Sequence, residues 1–132
     1  MTAIKVLLPI SVGDFADRLS IVEIKKARIL NPGKFQEIEE LLNTMREVQK
    51  EHTTNSSMFP LDLYESLKDI NMILWDVEDG LRRLEKQKKF NKLFTTLARL
   101  VYMLNDQRAA IKREIDEATS SSLGEVKSYT EY

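Results

Sequence analysis

Apolar residues recur along this chain at intervals of three and four positions, the spacing that places them on one face of an α-helix. The two longest stripes consist of Leu63, Leu67, Ile70, Leu74, Val77, Leu81 and Leu84, and of Leu93, Leu97, Leu100, Val101, Leu104, Ile111 and Ile115. These stripes predict a third helix from about Pro60 to Lys88 and a fourth from about Asn91 to Ala118. Because only a tight turn near Phe90 separates them, we expect the two helices to pack antiparallel.

Two shorter helices are predicted before them. The first begins between Ser11 and Asp14, where a carboxylate favours a helix N-terminus, and ends near Ile29. Its apolar residues point to two opposite sides, with Phe15, Leu19, Val22 and Ile29 on one and Ile21 and Ile24 on the other. A helix that is apolar on two sides lies between other helices, so we expect this one to be central. After the break at residues 31–33, the second helix runs from about Lys34 to His52.

The apolar segment 3–8 ends before Pro9 and is predicted to form an extended arm or a strand. Its candidate partners are residues 125–132 or the same segment of another subunit. The pattern as a whole predicts an all-α fold, an antiparallel bundle of about four helices with a short N-terminal extended arm or strand. We expect one helical domain over 1–132, with the arm at 1–10 and a tail at 119–132.

Composition excludes several chemistries. With 132 residues, 42% of them hydrophobic and 31% charged, the chain has the composition of a globular protein with its own core. It has no cysteine, which excludes disulfides, thiolate zinc sites and a cysteine nucleophile. His52 is the only histidine, which argues against a serine–histidine triad and against a site of several histidines. We therefore expect neither a metal nor a cofactor.

Charge and the N-terminal sequence bear on location and partners. The net charge is -1, so nothing drives the chain as a whole toward nucleic acid or an anionic membrane. The apolar run before Pro9 is too short for a signal peptide or a membrane span. We expect a soluble, cytoplasmic protein with no membrane association.

Polar residues interrupt or border the apolar stripes of three helices. They are Glu23, Lys26, Asn71, Glu78, Arg82, Asn105, Arg108 and Lys112. A charge on a core-facing edge is costly unless it is paired, so we expect these groups to meet one another. They form either a structural polar network, in which Glu78 and Arg108 fix helix register, or the wall of a ligand site. As a site, they suit a phosphate or carboxylate bound by Arg108 and Lys112 and oriented by Glu23 or Glu78.

Two further clusters have simpler explanations. Glu37/Glu40 and Asp76/Asp79 have the i, i+3 spacing of helical magnesium ligands in all-α pyrophosphohydrolases, but both pairs project away from the apolar stripes. We interpret them as solvated helix faces. A basic cluster over residues 82–92 contains six lysine and arginine residues near the end of the third helix. It offers a nucleic-acid contact, but positive charge also complements a helix C-terminus.

Several sequence blocks in combination resemble a known family. They are Val12-Gly13-Asp14, Asp17-Arg18-Leu19-Ser20-Ile21, Glu23-Ile24-Lys25, Leu74-Trp75-Asp76-Val77-Glu78-Asp79, Leu97-Ala98-Arg99, Val101-Tyr102, Asn105-Asp106, the run from Arg108 to Ile115, and Glu125-Val126-Lys127-Ser128-Tyr129. The chain resembles small bacterial and phage proteins that are classified only as a domain of unknown function. The family pattern carries Glu where Asp14 stands here, which keeps the carboxylate. The resemblance covers nearly the whole chain and implies a stand-alone domain, but no activity.

Three functional hypotheses follow from these residues. The first is a non-enzymatic binding or interaction module that self-associates as a homodimer and holds an anionic small molecule in the polar network. The second is an enzyme acting on a phosphorylated or carboxylated metabolite, with Glu23 or Glu78 as acid/base and Arg108 as anion clamp. The third, the least favoured, is a nucleic-acid contact through residues 82–92.

Overall fold

The computed structural model, which describes residues 3–53, 58–121 and 128–132, contains four α-helices. In chain order they are α1 (Val12–Arg28), α2 (Pro32–Glu51), α3 (Leu61–Lys86) and α4 (Lys92–Ala118). No strand occurs in the described part of the chain. The all-α bundle predicted from the apolar spacing is therefore confirmed.

Side chains that precede the helices explain where three of them begin. Ser11 accepts a hydrogen bond from the backbone N–H of Asp14 at 3.1 Å, which caps α1. Asn31 and Asn91 cap α2 and α4 through their amide oxygens, at 2.9 and 3.0 Å from the backbone nitrogens two and three residues later. Each bond satisfies a backbone donor that has no partner within its helix.

Helix α1 is the centre of the bundle, because it packs against each of the other three helices. Its residues Ala16 and Leu19 on one side, and Ile24 on the other, are all buried. The main apolar cluster surrounds α1 and draws on the first half of α3 and the last turns of α4, with Leu67 and Ile115 fully buried. The expectation of a central first helix is met.

Helices α3 and α4 form an antiparallel hairpin. Asn71, in the first half of α3, contacts Arg108 in the second half of α4, whereas Gly80 lies against Leu97 near the start of α4. A second, smaller apolar cluster joins the two helices through Leu74 and Val77 of α3 and through α4. The bundle therefore has an α1-centred core and an extension built from α3 and α4 alone.

Residues 3–9 of the N-terminal arm lie in solvent, whereas Ile10 is half-buried against the main apolar cluster. The side chains of Ile4 and Leu7 are 92% and 93% exposed, and residues 3–10 adopt no regular secondary structure. Of its predicted partner segment 125–132, residues 125–127 lie outside the described residues, as does most of the predicted tail before residue 128. None of the four helices is long and apolar enough to span a membrane.

Candidate functional site

The structure distributes the eight polar residues singled out by the sequence over four places. Asn71, Glu78, Asn105 and Arg108 line one cleft between α1, α3 and α4. Lys112 of α4 lies at the N-terminus of α1. Glu23 faces α3, and Lys26 faces α2. Arg82 is exposed near the end of α3. The set is therefore not a single network, and each part has its own partners.

A buried polar cluster supports one wall of the cleft. The Asn71 amide nitrogen donates to Asp17 Oδ1 and to Ser20 Oγ, each at 2.8 Å, and all three residues are buried. Arg108 Nη1 donates to Asn71 Oδ1 at 3.5 Å. Asp17 and Ser20 are not among the site residues predicted from the sequence. Their i, i+3 spacing on a helix that is apolar on two sides was the available signal.

Lys112 contacts the N-terminal turn of α1 and does not line the cleft. Its ammonium group lies 2.7 Å from Asp14 Oδ1 and 3.8 Å from Asp17 Oδ2, and its side chain is only 13% exposed. Two α1 residues thus hold the charge that the sequence assigned to an anionic ligand. The geometry gives Lys112 a structural role in joining α4 to α1.

Asp116 of α4 completes the same junction. Its Oδ1 accepts from the backbone N–H of Gly13 at 2.6 Å, and the Ser121 hydroxyl oxygen accepts from the N–H of Val12 at 2.9 Å. With the Ser11 cap, three consecutive N–H groups at the N-terminus of α1 have partners. A carboxylate at this end of a helix is also favoured by the helix dipole.

The cleft between α1, α3 and α4 is a cavity of about 510 Å³. It is lined by Ile21, Asn71, Leu74, Trp75, Glu78, Asp79, Asn105 and Arg108. The lining combines two aliphatic side chains, one indole, two amides, two carboxylates and one guanidinium, which is a mixed polar and apolar surface with a single positive charge. Such a mixture can hold an anion and donors of hydrogen bonds side by side.

A second cavity, of about 520 Å³, lies between α4 and residues 128–132. It is lined by Tyr102, Asn105, Asp106, Arg108, Tyr129, Thr130 and Tyr132. The Tyr132 hydroxyl donates to Asp106 Oδ2 at 2.6 Å, and its ring meets that of Tyr102 edge to face with centroids 5.2 Å apart. The hydrogen bond to Asp106 raises the pKa of Tyr132. Asn105 and Arg108 line both cavities and form the wall between them.

Arg108 takes part in none of the ion pairs formed within the described part of the chain. Glu78 lines the same cleft but is exposed and forms no ion pair with Arg108, so the Glu78–Arg108 pair expected from the sequence is not made. The half-buried guanidinium has the Asn71 oxygen as its hydrogen-bond acceptor.

Glu23 belongs to a separate cluster between α1 and α3. Its carboxylate accepts from the Tyr64 hydroxyl at 2.6 Å and from Lys68 at 2.8 Å. Burial raises the pKa of the Glu23 carboxyl, but the hydrogen bonds from Lys68 and Tyr64 together with the positive charges of Lys68 and Arg46 outweigh burial, so the pKa lies below its ordinary value of 4.5. Burial and the bond to Glu23 raise the pKa of Tyr64. Lys26 pairs instead with Glu39 at 3.1 Å.

A pH-dependent contribution to stability is expected from Glu23. Because its pKa is lowered on folding, the ionised carboxylate stabilises the protein above about pH 4.5 and loses this effect as the pH falls through the folded pKa. Glu23→Gln should therefore lower the melting temperature at neutral pH, and the difference from wild type should shrink on acidification. Thermal melts at several pH values measure it, with Glu37→Gln as an exposed control. A difference that is independent of pH would contradict the assignment.

The paired carboxylates and the basic cluster noted in the sequence lie on the surface. Glu37, Glu40 and Asp79 are exposed, and Asp76 pairs with Arg28 of α1 at 2.6 Å, as expected of solvated helix faces. No group of three or more potential ligands within the described residues is arranged to hold a metal ion. The basic residues over 82–92 are also exposed.

The aromatic residues lie partly in the core, partly at the cavities and partly, as Phe35 and Phe90 do, on the surface. Phe59 is buried and stacks on Tyr64 with ring centroids 5.0 Å apart, whereas Trp75 is half-buried and lines the cleft beside Arg108. Trp75 is thus the aromatic residue placed to contact a molecule in the first cavity.

Comparison with known proteins gives a family but no activity. The profile of a family of unknown function, DUF6165, matches residues 5–131, which include the second part of the arm, all four helices and most of segment 128–132. No curated protein and no solved structure matches the chain. Evidence for a function therefore comes from the site itself.

Proposed function

We propose that this chain, which belongs to the DUF6165 family of unknown function, is a small-molecule-binding module that holds an anionic ligand at Arg108. The ligand group is a phosphate or carboxylate seated in the cleft between α1, α3 and α4. One observation carries the proposal: Arg108 is half-buried at the wall of two cavities and forms no ion pair within the described residues.

The cost of burying charge supports this interpretation. A guanidinium withdrawn from water is destabilising unless an opposite charge or several acceptors compensate it. Here the contact to Asn71 Oδ1 is long, at 3.5 Å, and neutral. An anion placed against Arg108 can form two parallel charge-assisted hydrogen bonds, which are stronger than neutral ones.

Preorganisation supports it as well. Asn71 is fixed by its bonds to Asp17 and Ser20, so the oxygen that holds Arg108 Nη1 has a set position before any ligand arrives. Ordering a binding group in advance reduces the entropy lost on binding. The buried polar cluster and the ligand site are thus two parts of one arrangement, the first supporting the second.

An enzymatic role for the site has less support. Of the two acid/base candidates, Glu23 does not line the Arg108 cleft and is held by Lys68 and Tyr64. Glu78 does line it, but is exposed. Catalysis by Glu78 with Arg108 as anion clamp remains the alternative, and turnover of a bound phosphate ester that is lost in Glu78→Gln would favour it.

Arg108→Gln is expected to weaken anion binding at least about tenfold, because it removes a charged hydrogen-bond donor from the site. A thermal-shift screen against inorganic phosphate, acetate, nucleoside monophosphates and sugar phosphates identifies a ligand, since saturation at 100 times the Kd adds about 2.7 kcal/mol of stability. Calorimetry then compares wild type, Arg108→Gln and Arg113→Gln. Arg113 is an exposed arginine on the same helix and serves as the control.

Two results would count against the proposal. One is a screen in which no anion raises the melting temperature. The other is equal binding by Arg108→Gln and wild type, which would place the anion elsewhere. If Arg108→Gln instead unfolds while Arg113→Gln does not, the arginine belongs to a structural network.

We also propose a cytoplasmic location and self-association as a homodimer. Absence of cysteine suits the reducing cytoplasm of a bacterial or phage-infected cell. The exposed apolar arm, with Ile4, Val6, Leu7 and Leu8 all at least 75% exposed, favours a homodimer that covers it. Light scattering on the full chain and on a variant with Leu7→Lys tests the dimer.

For the basic cluster over 82–92, binding to RNA that weakens steeply with salt would establish a nucleic-acid contact.

A further inference from the structure

We infer that the ligand is a phosphodiester that carries a ring on each side of its phosphate. The inference rests on the proposed binding of an anion at Arg108 and names the chemical class of that anion. It follows from the position of Arg108 between two cavities, from the excess of carboxylates around it, and from the aromatic side chains in both cavities.

The shared wall makes the site two-sided. Asn105 and Arg108 line the cavity between α1, α3 and α4 and also the cavity between α4 and residues 128–132. An anion bound to Arg108 is therefore next to both cavities. A ligand that fills them needs substituents on two sides of the anionic group, as a diester has and a monoester or a simple carboxylate does not.

The charge of the lining selects a singly charged anion. Glu78 and Asp79 line the first cavity and Asp106 lines the second, against the one positive charge of Arg108. A phosphate monoester carries close to two negative charges near neutral pH because its second pKa is about 6. A phosphodiester has no second ionisation and carries one. Three neighbouring carboxylates repel the monoester more strongly than the diester.

Both cavities offer a surface for a ring. Trp75 lines the first, and Tyr102 and Tyr132 line the second. Stacking of a ring on such side chains contributes to affinity without requiring one sequence or one base. The carboxylates beside each aromatic group are acceptors only, so they match the hydroxyl or amino groups of a sugar or a base.

The experiment compares three probes of equal charge by calorimetry. Dimethyl phosphate has no ring, the methyl ester of adenosine 5′-monophosphate has a ring on one side, and adenylyl-(3′→5′)-adenosine has a ring on each side. We expect each added ring to tighten binding about tenfold. The methyl ester should also bind more tightly than adenosine 5′-monophosphate itself, because it carries the smaller charge.

Variants assign each ring to its cavity. Trp75→Ala and Tyr102→Ala should each reduce the affinity for the two-ring probe about tenfold, to the level of the one-ring probe, and should weaken dimethyl phosphate, which has no ring to stack, by a much smaller factor. Trp75→Phe, which keeps a ring, should retain most of the affinity. Arg108→Gln should weaken all three probes. The affinity of a phosphodiester that links two sugars, compared with that of the methyl phosphodiester of one of these sugars, distinguishes a sugar phosphodiester from a nucleotide as the ligand.

The outcomes separate this inference from the proposed function. If one-ring probes bind through Arg108 but the second ring adds no affinity in either the nucleotide or the sugar probes, the two-sided ligand is overturned while anion binding stands. If adenosine 5′-monophosphate binds more tightly than its methyl ester, the argument from charge is overturned. If no probe binds, both the inference and the proposed anion site are wrong.

Discussion

Gly13→Ala is expected to lower the free energy of unfolding by about 3 kcal/mol or more. A Cβ at position 13 would overlap the backbone carbonyl oxygen of Lys112 and would lie 2.8 Å from Asp116 Oδ1. The obstacle is the backbone of α4, which cannot rotate away as a side chain can. Relief requires α1 and α4 to separate, which breaks the 2.6 Å bond from the Gly13 N–H to Asp116.

Gly80→Ala is the matched control, because both glycines lie inside helices and both face α4. The Cβ at position 80 would lie 3.0 Å from Leu97 Cδ1, the end of a flexible side chain that can move aside. Removing glycine from a helix interior gains about 1 kcal/mol of helix propensity, so this variant should remain within about 1 kcal/mol of wild type. Urea unfolding followed by circular dichroism measures both. Equal stabilities would show that α1 and α4 do not meet at Gly13.

The helices are predictable from the sequence because the information that specifies them is local. Apolar spacing marks the buried face of each helix, and the caps at Ser11, Asn31 and Asn91 lie within three residues of the N–H groups that they satisfy. The central position of α1 is predictable for the same reason, since a helix with Leu19 and Ile24 on opposite sides needs neighbours on both.

The partners of the polar residues are not predictable in this way. Helical phase says which side of α4 carries Lys112, but the choice among Asp14, Asp17 and a ligand depends on where α1 crosses α4. That crossing is set by the close approach at Gly13, which is a contact between residues about a hundred positions apart in sequence. Asp116 is not predictable as a site residue for the same reason, because its partner is the backbone N–H of Gly13, which is distant in the sequence.

Arg108 shows what phase alone can establish. Its position among the apolar residues of α4 predicts a cation at the edge of the core, and the structure places it at the wall of two cavities. Helical phase also predicts that Glu78 is a neighbour of Arg108 on the facing helix. In the structure the Glu78 carboxylate is exposed and solvated, so it is stable without an ion pair. The distance between the two charges depends on the separation and rotation of α3 and α4.

Asn71→Asp is expected to lower the free energy of unfolding by about 3 kcal/mol at neutral pH, although the two side chains have almost the same shape. The Asn71 amide nitrogen donates to Asp17 Oδ1 and Ser20 Oγ, each at 2.8 Å, in a region where all three residues are buried. An ionised carboxylate has no donor, so the variant loses both bonds and sets two negative charges side by side. The nearby cations, Arg108 at 3.5 Å from Asn71 and Lys112 at 3.8 Å from Asp17, offset only part of this repulsion.

The sign of the pH dependence tests this explanation against simple misfit. Beside Asp17 the introduced carboxyl has a pKa raised above its unfolded value, so its destabilising effect is full above the folded pKa and is relieved as the pH falls through it. Once protonated, the carboxyl can donate to Asp17 as the amide does. The stability difference between Asn71→Asp and wild type should therefore be smaller at pH 5 than at pH 7, measured by urea unfolding. Asn105→Asp, on the half-exposed wall of the cleft, should stay within about 0.5 kcal/mol of wild type at both. A loss for Asn71→Asp that is the same at both pH values would mean that the defect is steric, and that Asn71 is not held in place by donating to Asp17.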